Sequence, residues 1–220
     1  QLVATVVSHT VLERGEEAIA KGVLQQADEY LKAACPKSDN PVQATVCMHD
    51  RGYLHQVQAR FLEAASYYEP AVLAWKRLKG IDQRMLATTL HNLGETYREL
   101  GRWEQARAAL TEALGARREI YGDNHELTAS TLAQLGMIDL WAGDMGRAEH
   151  LIQTALSIHE KLLPPNDLKR LASVHDLAHL GCAAEKSLGV EGDERGRPAP
   201  IAAPELFDRP HHRRAHAGWD

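Results

Sequence analysis

Several kinds of protein are set aside by what this sequence does not contain. No apolar run approaches the eighteen or so residues that a membrane-spanning helix needs. Basic residues are not in excess: net charge is -5 and the pI is near 6.2, so the cationic face of a nucleic-acid binder is missing. The phosphate-cradling and nucleophile motifs G-x-G-x-x-G, G-x-x-x-x-G-K-[ST] and G-x-S-x-G do not occur. The many carboxylates read as solvated helix faces. No enzyme activity and no cofactor are therefore expected. There is no H-E-x-x-H, and the cysteines Cys35, Cys47 and Cys182 are scattered, odd in number and without a C-x-x-C pair. They read as reduced, partly buried thiols of a reducing, cytoplasmic compartment. The chain starts at Gln1 rather than methionine, which reads as a processed product or an excised piece; no signal peptide is visible.

What the sequence does contain is a period. Gly52, Gly94 and Gly136 follow one another at steps of 42, and Ala178 comes one step later. Ala64, Ala106 and Ala148 keep the same step, as do Ala71, Ala113 and Ala155. Three series at one period define a repeat protein. Within the clearest copy, Leu90, Leu93, Gly94 and Tyr97 form an i, i+3, i+4, i+7 stripe, the mark of an amphipathic helix. Gly101 breaks that helix. A second stripe runs through Ala106, Leu110, Ala113 and Leu114, and Tyr121-Gly122-Asp123-Asn124 ends it with turn formers. Neither helix can bury its stripe alone, so neighbouring copies must stack.

The pattern predicts helix pairs at 42–57 with 61–78, 84–100 with 103–121, and 126–141 with 145–163. The domain reading is a degenerate N-terminal pair at 1–41, three 42-residue units over 42–167, a capping helix at 168–189, and an irregular tail at 190–220. In the first pair, Leu2 to Arg14 reads as helix, with a β-branched strand over Leu2 to Val7 as the alternative, and Glu16 to Ala34 reads as a long helix. The tail holds four of the nine prolines, and within it Leu206 and Phe207 could dock in a groove of this or another molecule.

Leu90, Leu93, Gly94, Tyr97, Ala106, Leu110 and Ala113 together resemble the tetratricopeptide repeat. The usual unit has about 34 residues. This one is similar to the longer variety found in kinesin light chains and many bacterial relatives, and the likeness runs from about Pro41 to Pro165. The resemblance implies an all-α, right-handed solenoid of antiparallel helix pairs. It also implies a concave groove, lined by the first helix of each pair, that binds a peptide or protein. The residues it points inward are His49, Asp50 and Tyr53, then His91, Asn92, Glu95 and Arg98, then Gln134, Met137 and Trp141, with His175, Asp176 and His179 completing the surface. One register position reads Asp50, Asn92, Gln134, Asp176, and an amide there offers both a donor and an acceptor to a peptide bond.

Each of these assignments has a plainer alternative. The inward polar stripe could be a solvated face, and Trp141 could simply pack against the last helix. Trp75, Arg117 and His159 share a position on the second helices and read as outer surface. A basic clamp for a terminal carboxylate is not expected, because Arg98 stands nearly alone. An apolar side chain near Met137, Leu140 and Trp141 and a basic group near Asp50 or Glu95 suit the ligand better. His49, His91 and His175 share a register, yet packed helices lie roughly 8–10 Å apart, whereas zinc holds ligands at about 2.1 Å. No metal site is expected. Two other functional readings remain: a sensor or regulatory segment of a larger signalling enzyme or transcription regulator, and a scaffold that self-associates through its end faces or tail.

Overall fold

The apolar stripes find their partners in a row of antiparallel helices. The computed structural model describes residues 24–35, 39–78 and 83–189. In order the helices are α1 (Leu24–Ala34), α2 (Pro41–Val57), α3 (Phe61–Arg77), α4 (Arg84–Glu99), α5 (Trp103–Tyr121), α6 (Glu126–Trp141), α7 (Met145–Leu162) and α8 (Leu168–Gly189). No strand occurs among the described residues. The expectations for 1–23, including the strand alternative, and for the tail at 190–220 lie outside the described residues.

Helix ends follow local chemistry. Asn40 caps α2, its Oδ1 accepting from the Val42 amide at 2.9 Å, with Pro41 just inside. Asp144 caps α7 by accepting from the Arg147 amide at 3.1 Å. The first helices α2, α4 and α6 close with one motif repeated at the 42-residue step. The amides of Arg60, Arg102 and Asp144 reach back to the carbonyls of His55, Tyr97 and Asp139 at 2.8–2.9 Å. This is the Schellman closure, which needs a left-handed residue just before the returning amide. Gly101 and Gly143 fill that place with φ of 70° and 83°; in the first copy Ala59 fills it with φ of 56°.

The periodic glycines mark where paired helices touch. A Cβ on Gly52 would lie 2.6 Å from the Tyr68 ring, one on Gly94 2.5 Å from Leu110 Cγ, and one on Gly136 2.7 Å from Ile152 Cγ1. Ala64, Ala106, Ala148, Ala71, Ala113 and Ala155 are all fully buried across the same contact. The small residues therefore set how closely the two helices of a pair approach. The core runs through successive pairs as one cluster from Ala64 to Ile158. Smaller clusters join α1 to α2, around Leu31 and Leu54, and α6 and α7 to α8, around Ile152 and Leu180.

Every helix packs on its chain neighbours, and among the described helices the only other contacts join α2 to α4, α4 to α6 and α6 to α8. First helices thus touch one another, whereas the second helices α3, α5 and α7 do not. A row closed on one side and open on the other curves toward the closed side, so the first helices form its inner surface. On the outer side, a cleft of about 570 Å³ lies between α5 and α7, lined by Arg118, Asp123, Leu132, Gln153, Ser157 and Lys161 among others.

Two expectations are corrected. Cys35 and Cys47 are not free thiols: they form a disulfide, with Cα atoms 5.6 Å apart, between the end of α1 and the middle of α2. Their spacing of twelve residues matches no short motif, so only folding brings them together. Trp75, Arg117 and His159 are not outer surface either, being only 2%, 2% and 1% exposed. They point from a second helix into the first helix of the next repeat. There, Arg117 Nη1 donates to Thr131 Oγ1 at 2.6 Å and to the Leu127 carbonyl at 2.8 Å, and His159 Nδ1 lies 2.9 Å from Ser173 Oγ. Trp75 is buried at the same register position, and its indole N–H makes no hydrogen bond among the described residues.

Candidate partner-binding groove

On α4 the residues that retain some exposure along the inner side are Thr88, Asn92, Glu95 and Glu99. Their spacing of four, three and four is one helical stripe. The same register on α6 gives Ser130, Gln134 and Trp141, all partly exposed. On α2 it gives Val46, Tyr53 and Val57, with Tyr53 40% exposed. These positions lie side by side across adjacent first helices and line the inner surface.

The expected site residues divide into two groups. Tyr53, Asn92, Glu95, Gln134 and Trp141 lie on this exposed stripe, whereas His49, Asp50, His91, Arg98 and Met137 are buried. His49 Nδ1 lies 2.9 Å from Thr89 Oγ1 on the next first helix. Because the Thr89 hydroxyl donates to the Met85 carbonyl at 2.7 Å, His49 must be the donor of that pair. His91 repeats the contact one unit on, with Nδ1 3.4 Å from Thr131 Oγ1. These histidines join neighbouring first helices. Met137 and Leu140 pack with Ile152 and Leu180 in the core, so they are not an apolar subsite for a ligand. Arg98 is buried and pairs with Glu99 at 2.5 Å. Trp141 stacks on Trp103 of the preceding helix α5, with centroids 6.0 Å apart.

The α2 and α4 walls are cross-linked by polar side chains. Gln56 donates to Glu95 Oε2 at 3.1 Å, and Tyr68 donates to Gln56 Oε1 at 2.8 Å. The Asn92 side chain also hydrogen-bonds the Tyr68 hydroxyl. His91 Nε2 lies 3.5 Å from Glu95 Oε1. Burial alone would raise the Glu95 carboxyl, but His91, Arg98 and the Gln56 amide outweigh it and hold it down at about 2. Glu95 is therefore ionised and fixed in orientation at neutral pH. Its side chain keeps 25% exposure, so it presents an anionic edge to the groove. Burial pushes the His49 imidazole down to about 4, so that ring is neutral. On α6, Gln134 Oε1 is buried and accepts no hydrogen bond.

Two clusters were not foreseen. Asp139, 1% exposed, receives Arg107 Nη1 from α5 and lies 2.9 Å from Arg147 Nε of α7. It fastens three helices through one buried carboxylate. Its signal was a lone charge in the otherwise apolar Leu135–Trp141 run. The contacts of Arg117 and His159 also had a signal, since Thr89, Thr131 and Ser173 form a hydroxyl series at the same 42-residue step.

A family model of the tetratricopeptide repeat matches residues 44–119 and again 86–161. Together these matches cover more than half of the 220 residues. The chain belongs to the tetratricopeptide repeat family. Such repeats are protein–protein interaction modules, and the 42-residue unit is of the kinesin-light-chain-like kind. This tetratricopeptide stack is similar in fold to BtubC from P. vanneervenii, with a TM-score of 0.70 at 19% identity, over 93% of this chain and 87% of that one. It is also similar to kinesin light chain TPR-like repeats from Podosopora anserina, with a TM-score of 0.63 at 20% identity, over 82% of this chain and 88% of that one. A Rap protein solved with Competence and Sporulation Factor gives a TM-score of 0.67 at 18% identity, over 86% of this chain and 52% of that one. In sequence, the stack is 26% identical over 115 residues to the Clustered mitochondria protein homolog of Candida albicans. It spans 52% of this chain and only 8% of the length of that relative.

Proposed function

We propose that this tetratricopeptide stack binds an extended peptide segment of a protein partner along its inner surface, across α2, α4 and α6. The observation that carries the reading is the buried, unsatisfied Gln134 Oε1, which lies on the exposed stripe one repeat after Asn92. A buried acceptor without a donor costs about 1–3 kcal/mol, and turning the partly exposed Gln134 side chain so that its oxygen meets a ligand backbone N–H relieves that cost. Asn92 offers its amide one step along, exchanging its bond to Tyr68 for one to the ligand. The ionised edge of Glu95 favours a basic side chain beside the bound backbone, and the Trp141–Trp103 stack supplies an apolar end to the track. That a Rap protein of similar fold was solved with Competence and Sporulation Factor is consistent with this use of the fold.

The test is selection of peptides from a random display library on the immobilised full chain. The selected peptides are then titrated against Gln134→Ala, Asn92→Ala and Glu119→Ala, the last an exposed residue on the outer helix α5. Expected is a weakening with Gln134→Ala and Asn92→Ala of about 0.5–1.5 kcal/mol per lost hydrogen bond, with Glu119→Ala unchanged. Peptides that respond only to Glu119→Ala would place binding on the outer side and reject the groove.

A further inference from the structure

The joints between successive repeats are built at one register position. Thr89, Thr131 and Ser173 occupy it on α4, α6 and α8, and Thr131 and Ser173 bond Arg117 and His159 from the preceding second helix. One period before Thr89 the same position on α2 is Cys47. Its partner from the preceding helix is Cys35, through the disulfide. The joint of α1 to α2 is thus covalent where two later joints are hydrogen-bonded. Among the described helices α1 packs on α2 alone, through a small cluster around Ala27, Leu31, Cys47 and Leu54.

The two sulfurs differ in surroundings. Cys47 is 4% exposed, whereas Cys35 is partly exposed at the helix end. Arg51 Nε lies 3.4 Å from Cys35 Sγ, and its Nη1 lies 3.3 Å from the Tyr67 hydroxyl, which helps to hold the guanidinium beside that sulfur. A fixed cation next to a partly exposed sulfur is the environment that stabilises a thiolate.

We propose that Cys35–Cys47 is a thiol–disulfide exchange site, worked at Cys35 by dithiols and glutathione disulfide, whose state fastens or frees α1. In reduction, a thiolate of the dithiol attacks Cys35 Sγ; the S–S bond breaks and its electron pair leaves on Cys47 Sγ, which takes a proton. The second thiol of the reagent then attacks its own mixed-disulfide sulfur and expels the Cys35 thiolate, which Arg51 stabilises. The dithiol ends as a cyclic disulfide and has lost two electrons, which the protein has gained. In oxidation the Cys35 thiolate attacks glutathione disulfide and releases one glutathione thiolate. Cys47, losing its proton, then attacks Cys35 Sγ and releases the second.

The experiment uses the full chain, equilibrated with glutathione disulfide or with dithiothreitol. Iodoacetamide labelling is followed by peptide mass spectrometry, and amide hydrogen exchange is measured in both states. Expected after oxidation is protection of both Cys35 and Cys47 from alkylation. After reduction Cys35 should alkylate faster than Cys47, and amides of residues 24–34 should lose protection while those of α4 to α7 keep theirs. Arg51→Gln should slow Cys35 alkylation at pH 7 roughly threefold to tenfold, as expected when the cation that stabilises the thiolate is removed. Cys47→Ser provides a second route, since it should show the exchange pattern of the reduced chain without any reductant. Free alkylation of both cysteines after oxidation would overturn the proposal. So would α1 protection that is the same in both redox states, or an alkylation rate that ignores Arg51→Gln.

Discussion

Arg117 Nη1 donates to the Thr131 hydroxyl at 2.6 Å, from the second helix of one repeat to the first helix of the next. Burial lowers the guanidinium to about 10, so the contact holds a charge that the interior disfavours. Removing the side chain leaves the Leu127 carbonyl without this donor and opens a space in the joint. Arg117→Ala should cost about 2–3 kcal/mol, the scale of hydrogen bonds to a charged group. Arg118→Ala, next in sequence but 49% exposed and paired with the exposed Asp123, should change stability by less than about 0.5 kcal/mol. Urea unfolding followed by circular dichroism checks both, and equal midpoints would refute the role given to Arg117.

Acid should weaken the fold in two overlapping steps. The His49 imidazole titrates near 4 when folded and near its ordinary 6.5 when unfolded. The unfolded chain therefore takes up the proton first, so the contribution is complete above about pH 6.5 and is lost as pH falls toward 4. At 1.36 kcal/mol per unit this amounts to roughly 3 kcal/mol. Burial lowers His55 and His159 as well, so both add to the same slope. Glu95, held at about 2 against an ordinary 4.5, adds a further loss as pH falls from 4.5 toward 2. Unfolding midpoints should hold level from pH 7.5 to about 6.5 and then fall down to 3.5, and His49→Gln should flatten the part between 6.5 and 4. An unchanged slope in that variant would show that His49 is protonated in the fold.

Much of this architecture was legible in the sequence because it repeats. The glycine and alanine series located the helix pairs, and the observed bounds of α5 and α6, Trp103–Tyr121 and Glu126–Trp141, fall where the stripes place them. The surface was harder to read. A polar residue on a second helix, such as Arg117, looks solvated until the next repeat is packed over it, because its burial depends on a neighbour 14 residues away at Thr131. Met137 fails in the opposite sense. It keeps the inward register, but Leu180 of α8 covers it. The disulfide was illegible because Cys35 lies at a helix end whose position relative to α2 is fixed only in three dimensions.

Glycine substitutions should divide by what stands opposite. At Gly94 an added methyl would meet Leu110 Cγ at 2.5 Å and the Ala106 carbonyl at 3.3 Å. Gly94→Ala should then destabilise by about 1–3 kcal/mol, the range for overpacking. Gly115, exposed within α5, has nothing within 4 Å of its Cβ position, and Gly115→Ala should stabilise by about 0.5–1 kcal/mol. Thermal melts of the two variants should move in opposite directions. The double variant Gly94→Ala with Leu110→Ala should lose less stability than the sum of the single losses, because the two groups compete for one space.

Ala59 stands where Gly101 and Gly143 stand, with a backbone that side-chain-bearing residues avoid. Ala59→Gly should remove a strain of about 1 kcal/mol at some cost in chain entropy. A rise of about 2–4 °C in melting temperature is the upper end for a chain of this size. Gly101→Ala should do the reverse at the equivalent turn. Differential scanning calorimetry of both variants tests the assignment, and a fall with Ala59→Gly would contradict it.

The inner helices touch and the outer ones stand apart, which gives the stack a spine and open pages. Changing its curvature need not break the contacts of α2 with α4 or of α4 with α6. It needs only that the gap between α5 and α7 widen or narrow, and that gap is an open cleft, with Arg118, Asp123, Gln153 and Lys161 on its walls beside Leu132 and Ile158. The groove can therefore flex about a fixed floor: what it binds meets an unchanging row of first helices, while the radius of the arc is set from the back.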